Sequence, residues 1–202
     1  MKVVKIFLCF LSSIVFFTTA AAQEMGYAIC VTCHGADGAG NIALNSPAIA
    51  GQESWYVETQ LKNFKAGIRG AHKADIYGMQ MRPMALTLAD DAAVTRVSGY
   101  VSSMKPARIT NTVEGNLDTG KALYAVCAAC HGQDAKGLKA MNSPNLTLQQ
   151  DWYMVRQLQN FKAGLRGSDP KDVFGQQMRP MAMILANDQA INDVVAYINS
   201  LR

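Results

Sequence analysis

Two five-residue runs carry the chemistry of this chain: Cys30-Val31-Thr32-Cys33-His34 and Cys127-Ala128-Ala129-Cys130-His131. Both read C-x-x-C-H. On a helix this spacing brings two thiols to the two vinyl groups of one haem, while the adjacent imidazole reaches the iron from one face. Three other uses of paired cysteines compete. A thioredoxin-like redox pair needs a strand-rich setting that the flanking sequence lacks. A zinc site needs a second ligand pair in each run, and no further Cys or His stands at matching positions. A disulfide within each pair leaves the two histidines unexplained. The runs therefore imply two covalently attached haem c groups, one held by Cys30 and Cys33, the other by Cys127 and Cys130, with His34 and His131 as iron ligands.

The sixth ligand decides between a carrier and a catalyst. His72 is the one remaining histidine, and its counterpart in the second half is Asp169, so it reads as a solvated loop residue. A soft thioether stabilises ferrous iron and raises the potential, which makes methionine the natural candidate. Met79 aligns with Gln176 and drops out. Met81-Arg82-Pro83-Met84 aligns with Met178-Arg179-Pro180-Met181, so each half offers two thioethers three residues apart, and spacing alone leaves the choice open.

The elements that must position these groups come in duplicate. One offset of 97 positions relates Cys30 to Cys127, Trp55 to Trp152, Phe64 to Phe161, Arg69 to Arg166 and Tyr100 to Tyr197, with no gap. From Cys30 to Met104 roughly half of the aligned positions are identical, which marks an internal duplication. The predicted elements are helical. Asp118-Thr119 offers a cap before a helix from Ala122 to Cys127, and the matching first stretch runs from about Met25 into Cys30. A helix over Trp55 to Ala66, ended by Gly67, places Val57, Leu61 and Phe64 on one face and Trp55, Thr59 and Lys62 on another. A closing helix from about Asp90 to Met104 carries Val94, Val97, Val101 and Met104 at spacings of three and four; Ile191, Val194, Ile198 and Leu201 repeat them. The long Gly, Pro, Asn and Ser-rich stretches between helices need something to wrap around, and a haem supplies that core.

Residues 1–22 have the layout of a secretory leader: Lys2 and Lys5, an apolar run from about Ile6 to Phe17, then Ala20-Ala21-Ala22. Cys9 falls inside the run and is expected to leave with it. The organisation expected is leader 1–22, domain one 23–104, linker 105–117 and domain two 118–202. The chain carries +4, and two of those charges are the leader lysines, which leaves +2 before the propionates of two haems are counted. With no basic run or stripe, a nucleic-acid partner is not indicated.

Taken together, these residues resemble the two-haem cytochromes c of the periplasm called cytochrome c4, over nearly the whole mature chain. The likeness rests on C-x-x-C-H-G, on Gly51-Gln52 before the helix with Tyr56, Gln60, Leu61 and Lys65-Ala66-Gly67, on the Met-x-x-Met element, and on a closing helix ending in Tyr. It implies an all-α fold of two tandem class I cytochrome c domains related by pseudo-twofold symmetry. It implies Met81 and Met178 as the iron-binding members of their pairs, and Pro47 and Pro144 as carbonyls that orient the histidines. The second half reads Leu148-Gln149 where the first has Gly51-Gln52. Arg69, Arg82, Arg166 and Arg179 recur in register and read either as partners of haem propionates or as solvated surface charge. Trp55 and Trp152 read as core more than as cofactor contacts.

The expected function is transfer of single electrons in the periplasm, from a quinol-oxidising complex or dehydrogenase to a terminal oxidase or reductase, with transient docking to membrane complexes. Two alternatives stand beside it. One is a haem subunit of a larger dehydrogenase. The other is a dihaem enzyme acting on a small sulfur compound or peroxide, which needs an open or unusually ligated iron and acid or base groups beside it. No His, Glu or Cys breaks the symmetry of the two halves in that way, so the expectation is not an enzyme.

Overall fold

The computed structural model describes residues 26–202; the expected leader lies outside them. In the first lobe, helix α1 covers residues 26–34 and carries the first C-x-x-C-H run. A short 3₁₀ turn at Ile42–Leu44 follows, then α2 (Ser54–Lys65), α3 (Ile76–Leu86) and α4 (Asp91–Ser103). The second lobe repeats the order with α5 (Leu117–Tyr124), α6 (Ala128–His131), a 3₁₀ turn at Lys139–Met141, α7 (Asp151–Lys162), α8 (Val173–Met183) and α9 (Asp188–Ser200). Extended pairing among the described residues amounts to two isolated bridges, Asn41 with Ser46 and Leu138 with Ser143. No helix among the described residues is long and apolar enough to cross a membrane.

Caps set the helix starts. Asp90 accepts from the Ala93 amide and starts α4, and Asn187 accepts from Ala190 and starts α9. At α5 the cap is Asn116, which accepts from Thr119; Asp118 lies inside the first turn, where it favours the helix dipole instead of closing the end. That helix stops at Tyr124, and Cys130 and His131 sit on the separate α6, whereas the first lobe runs both functions through α1.

Each lobe has its own core on the predicted faces. Val94, Val97 and Val101 of α4 are buried with Tyr27 and Leu88, and Val57 and Leu61 of α2 pack against them. Ile191, Val194, Val195 and Ile198 of α9 are buried with Tyr124, Met154 and Leu185. The α5–α9 crossing is close because Gly120 has no side chain: a Cβ there would stand 2.0 Å from the Asp193 carbonyl oxygen. The packing of α2 onto α3 depends on Gly70, whose φ of +71 suits glycine and whose Cβ would stand 2.2 Å from the Gly78 oxygen. Gly167 repeats it at 2.3 Å from Gly175.

Helices α3 and α8 are not among the elements predicted from the sequence. Each holds a proline, Pro83 and Pro180, in its interior, where the ring removes a ladder hydrogen bond. Asp75 and Asp172 cap their starts through the Gly78 and Gly175 amides at 3.0 Å.

Residues 105–116 form a strap held to the second lobe. Asp151, fully buried, accepts from the Thr112 and Val113 amides, the Thr112 hydroxyl, the Trp152 amide and the Asn199 side chain. Asn116 donates to Asp193 at 2.8 Å. Burial alone would raise the Asp151 carboxyl, but these donors hold it below the ordinary carboxylate range. Its stabilising effect is therefore complete above the unfolded carboxyl value of about 3.9 and is lost as pH falls through the lower folded value. Asp151→Asn is expected to cost about 2 kcal/mol at pH 7, and denaturant titrations should show the wild type and variant converging as pH falls through the lowered folded value.

Candidate functional site

Each lobe contains a cleft walled by the residues that the sequence singles out. In the first, Cys30, Cys33 and His34 come from α1, and Met81 and Met84 from α3. In the second, Cys127 and His131 meet Met178 and Met181 of α8. Counted out to the surrounding solvent, the clefts enclose about 1270 and 1230 Å³ of empty space. Met79 is 45% exposed and outside the first cleft, and His72 is an exposed loop residue whose Nδ1 accepts from the Ala74 amide.

The histidines are fixed by the backbone. His34 Nδ1 lies 2.8 Å from the Pro47 carbonyl oxygen, and His131 Nδ1 lies 3.2 Å from that of Pro144. A carbonyl only accepts, so Nδ1 carries the proton and Nε2 keeps its lone pair for a metal. Both rings are buried, and desolvation pushes them below the usual imidazole range against the opposing pull of the proline bond. Tyr27 and Tyr124 brace the motif turns by donating to the Gly35 and Gly132 carbonyls at 2.8 Å.

The four motif cysteines are free thiols. Burial, and then the neighbouring Cys33, pushes the Cys30 thiol up to about 11, and burial raises Cys127 likewise. Among the described residues no three His, Cys, Asp or Glu side chains converge to hold a metal ion by themselves. The donor set in each cleft is instead one imidazole and a thioether pair, with thiols beside them, which suits a haem. A second observation fits the same group. Gln52 is 2% exposed, lines both clefts, and has neither its amide nitrogen nor its oxygen paired within the chain. A buried amide without a partner is costly unless a ligand supplies one, and a propionate at the cleft edge would do so.

The clefts adjoin. Gln52, Tyr56, Gln60, Gln149, Tyr153 and Gln157 line both. The junction is reciprocal: Arg69 donates to Tyr153 at 2.6 Å and Gln157 at 3.0 Å, and Arg166 donates to Tyr56 at 3.2 Å and Gln60 at 3.1 Å. Each guanidinium also lies 4.6 Å over the phenylalanine of its own lobe, Phe64 or Phe161. Burial alone would raise the Tyr56 hydroxyl, but Arg166 and Arg69 beside it more than offset that and lower it.

The four recurring arginines thus divide. Arg69 and Arg166 line the clefts with their donors largely committed across the junction, while Arg82 and Arg179 lie against the turns at Gly67 and Gly164. Trp55 is neither core nor a contact of its own cleft; it lines the cleft of the other lobe. Further side chains cross the junction without a motif to announce them. Arg156 of α7 lines the first lobe's cleft, and Glu53 reaches the second lobe. The one signal was a break in the repeat, since their counterparts are Thr59 and Gln150.

Comparison with known proteins gives consistent relatives. The profile of the cytochrome c family matches residues 20–105 and again 117–202. The chain is 30% identical over 195 residues to a cytochrome c4 of Azotobacter vinelandii, covering 90% of this chain and 89% of that one. It is 31% identical over 163 residues to a thiosulfate dehydrogenase electron acceptor of Stutzerimonas stutzeri, covering 76% and 72%. The crystal structure of reduced cytochrome c4 from Pseudomonas stutzeri superposes with a TM-score of 0.72 at 28% identity, over 91% of this chain and 98% of that one.

Arg69→Ala or Arg166→Ala removes the charged donor shared by a tyrosine and two glutamines. Each is expected to lower the unfolding free energy by about 2–3 kcal/mol, measured by denaturant titration of the holoprotein.

Proposed function

The chain belongs to the cytochrome c family, as a two-haem protein of the cytochrome c4 kind, and on that premise we propose that it carries single electrons in the periplasm between a respiratory donor and a terminal oxidase or reductase. The observation that carries the proposal is the pair of adjoining clefts, each with a carbonyl-held histidine, a methionine pair and motif cysteine in its wall, Cys30 and Cys33 in the first and Cys127 in the second. When bound, each haem supplies a ferric–ferrous couple.

The chain's own residues do the rest. Cys30, Cys33, Cys127 and Cys130 tether the group, and His34 and His131 present Nε2 at a fixed orientation. Met81 and Met178 are assigned as the second ligands, in keeping with the cytochrome c4 likeness and with Met181 standing 37% exposed while Met178 is half-buried. Val97, Val101 and Phe64 in one lobe, and Val194, Ile198 and Phe161 in the other, wall the clefts with apolar surface and exclude water. The shared wall allows an electron to pass between lobes, so that one lobe can meet a donor and the other an acceptor.

A carrier is favoured over an enzyme by what lines the clefts. Among the described residues the only carboxylates there are Asp75 and Asp172, and both are occupied as helix caps. The likeness to a thiosulfate dehydrogenase electron acceptor favours one class of donor in particular, a dehydrogenase acting on a small sulfur compound.

Protein matured in a host that attaches haem c is expected to carry two haems per chain by mass. Its ferric spectrum should show the weak far-red band of methionine–iron coordination, which Met81→Ala and Met178→Ala each remove for one lobe. A band that survives both changes assigns Met84 and Met181 instead; carbon monoxide binding by the untreated reduced protein overturns the carrier.

A further inference from the structure

The duplication makes the two clefts nearly equivalent in charge. Arg69 and Asp75 line the first, and Arg166 and Asp172 line the second in register. The equivalence fails at Arg156, which lines the first cleft, and at Glu53, which is bonded to a loop that borders the second, and both are side chains that leave their own lobe for the other.

Arg156 projects from α7 onto the first lobe. Its guanidinium donates to the Asn45 side chain at 2.5 Å, and lies 4.2 Å over the Tyr77 ring and 4.9 Å over Trp152. The position related by the repeat is Thr59, which lines the second cleft with a neutral hydroxyl bonded back to its own helix at Trp55. Glu53 projects the opposite way. Its carboxylate accepts from the Asn145 amide at 3.2 and 3.3 Å, one residue beyond the proline that orients His131. Its counterpart Gln150 grips the equivalent loop of the first lobe with a neutral amide, accepting from Ala48 at 2.9 Å and donating to Ala39 at 3.2 Å.

A haem iron gains one positive charge on oxidation, so a nearby cation favours the reduced form and a nearby anion the oxidised form. Both crossings act in the same sense. They place an extra positive charge in the wall of the first cleft and an extra negative charge behind the Pro144-Asn145 wall of the second. Lys136 and Lys139, which the second lobe carries and the first lacks, are exposed, where water and salt screen them. Along the sequence the second lobe holds the more positive charge; the crossings reverse that balance where it bears on the clefts.

We propose that Arg156 and Glu53 set a redox gradient between the lobes, the first lobe having the higher potential, so that electrons enter at the second lobe and collect in the first. The step moves one electron from ferrous iron in the second lobe to ferric iron in the first, with no proton transferred and no further reactant. It rests on the two-haem carrier described above.

A potentiometric titration of the holoprotein, followed in the visible haem bands, tests it. The wild type is expected to give two one-electron waves. Arg156→Gln should lower the upper wave and leave the lower one, changing the exchange equilibrium between lobes roughly tenfold, or about 59 mV for a one-electron couple. Arg156→Lys, which keeps the charge, should leave the upper wave in place. Glu53→Gln should raise the lower wave, and so should Thr59→Arg, which writes the missing charge onto the second cleft. A single unsplit wave in the wild type overturns the proposal, as does a lower wave that moves in Arg156→Gln or an equal response to Gln and Lys at position 156. A wild-type chain carrying fewer than two haems would instead overturn the carrier itself, so haem content is measured first.

Discussion

Each lobe is built around a space that its own side chains do not fill. The buried apolar cluster of the first lobe is five residues, Tyr27, Leu88, Val94, Val97 and Val101, and its helices are joined by long glycine-bearing loops. A shell of that size is marginal as a self-sufficient core, because small domains bury too little of their surface. A flat apolar group tethered by two cysteines supplies the missing contacts and stays put through every turnover. The glycine turns, the proline carbonyls and the tyrosine braces all serve to keep the wall residues in register with that group.

The junction between lobes follows from the same arrangement. Where two clefts share a wall, the wall residues Gln52, Tyr56, Gln60, Gln149, Tyr153 and Gln157 are polar, and their polar atoms need partners. Arg69 and Arg166 meet that requirement by donating to tyrosine and glutamine side chains of the opposite lobe. Buried charged donors of this sort tolerate little loss, since removing one leaves its acceptors unpaired. Gln52, still unpaired within the chain, marks where the wall expects a partner that the polypeptide does not provide.

What the sequence made legible was whatever the duplication repeats or a periodic face announces. The C-x-x-C-H runs, the apolar stripes of α2, α4 and α9, and the in-register arginines could all be read from spacing. The helices α3 and α8 could not, because Pro83 and Pro180 argue against a helix interior and the capping aspartates sit in loops with no apolar period. Residues 105–117 read as a linker on composition, and one buried carboxylate, Asp151, holds Thr112 and Val113 of that stretch to the second lobe. Asn116 displaced Asp118 as a cap by a choice that only backbone geometry makes. Arg156 and Glu53 were hidden for a different reason: a search for matched pairs passes over the unmatched residues, and these act on the lobe they do not belong to.

The reciprocal arginine contacts have the form that two identical chains make about a twofold axis, each patch meeting a copy of itself. Such a contact does not require the chains to be joined. Joining them through the strap replaces a concentration-dependent encounter with an effective local concentration on the order of millimolar, so a small interface suffices to hold the halves together. It also ends the obligation of sameness: in a homodimer any substitution appears on both sides, whereas fused copies can mutate singly. Position 156 and its counterpart 59 have used that liberty, and polarity in a molecule descended from a symmetric plan is the result.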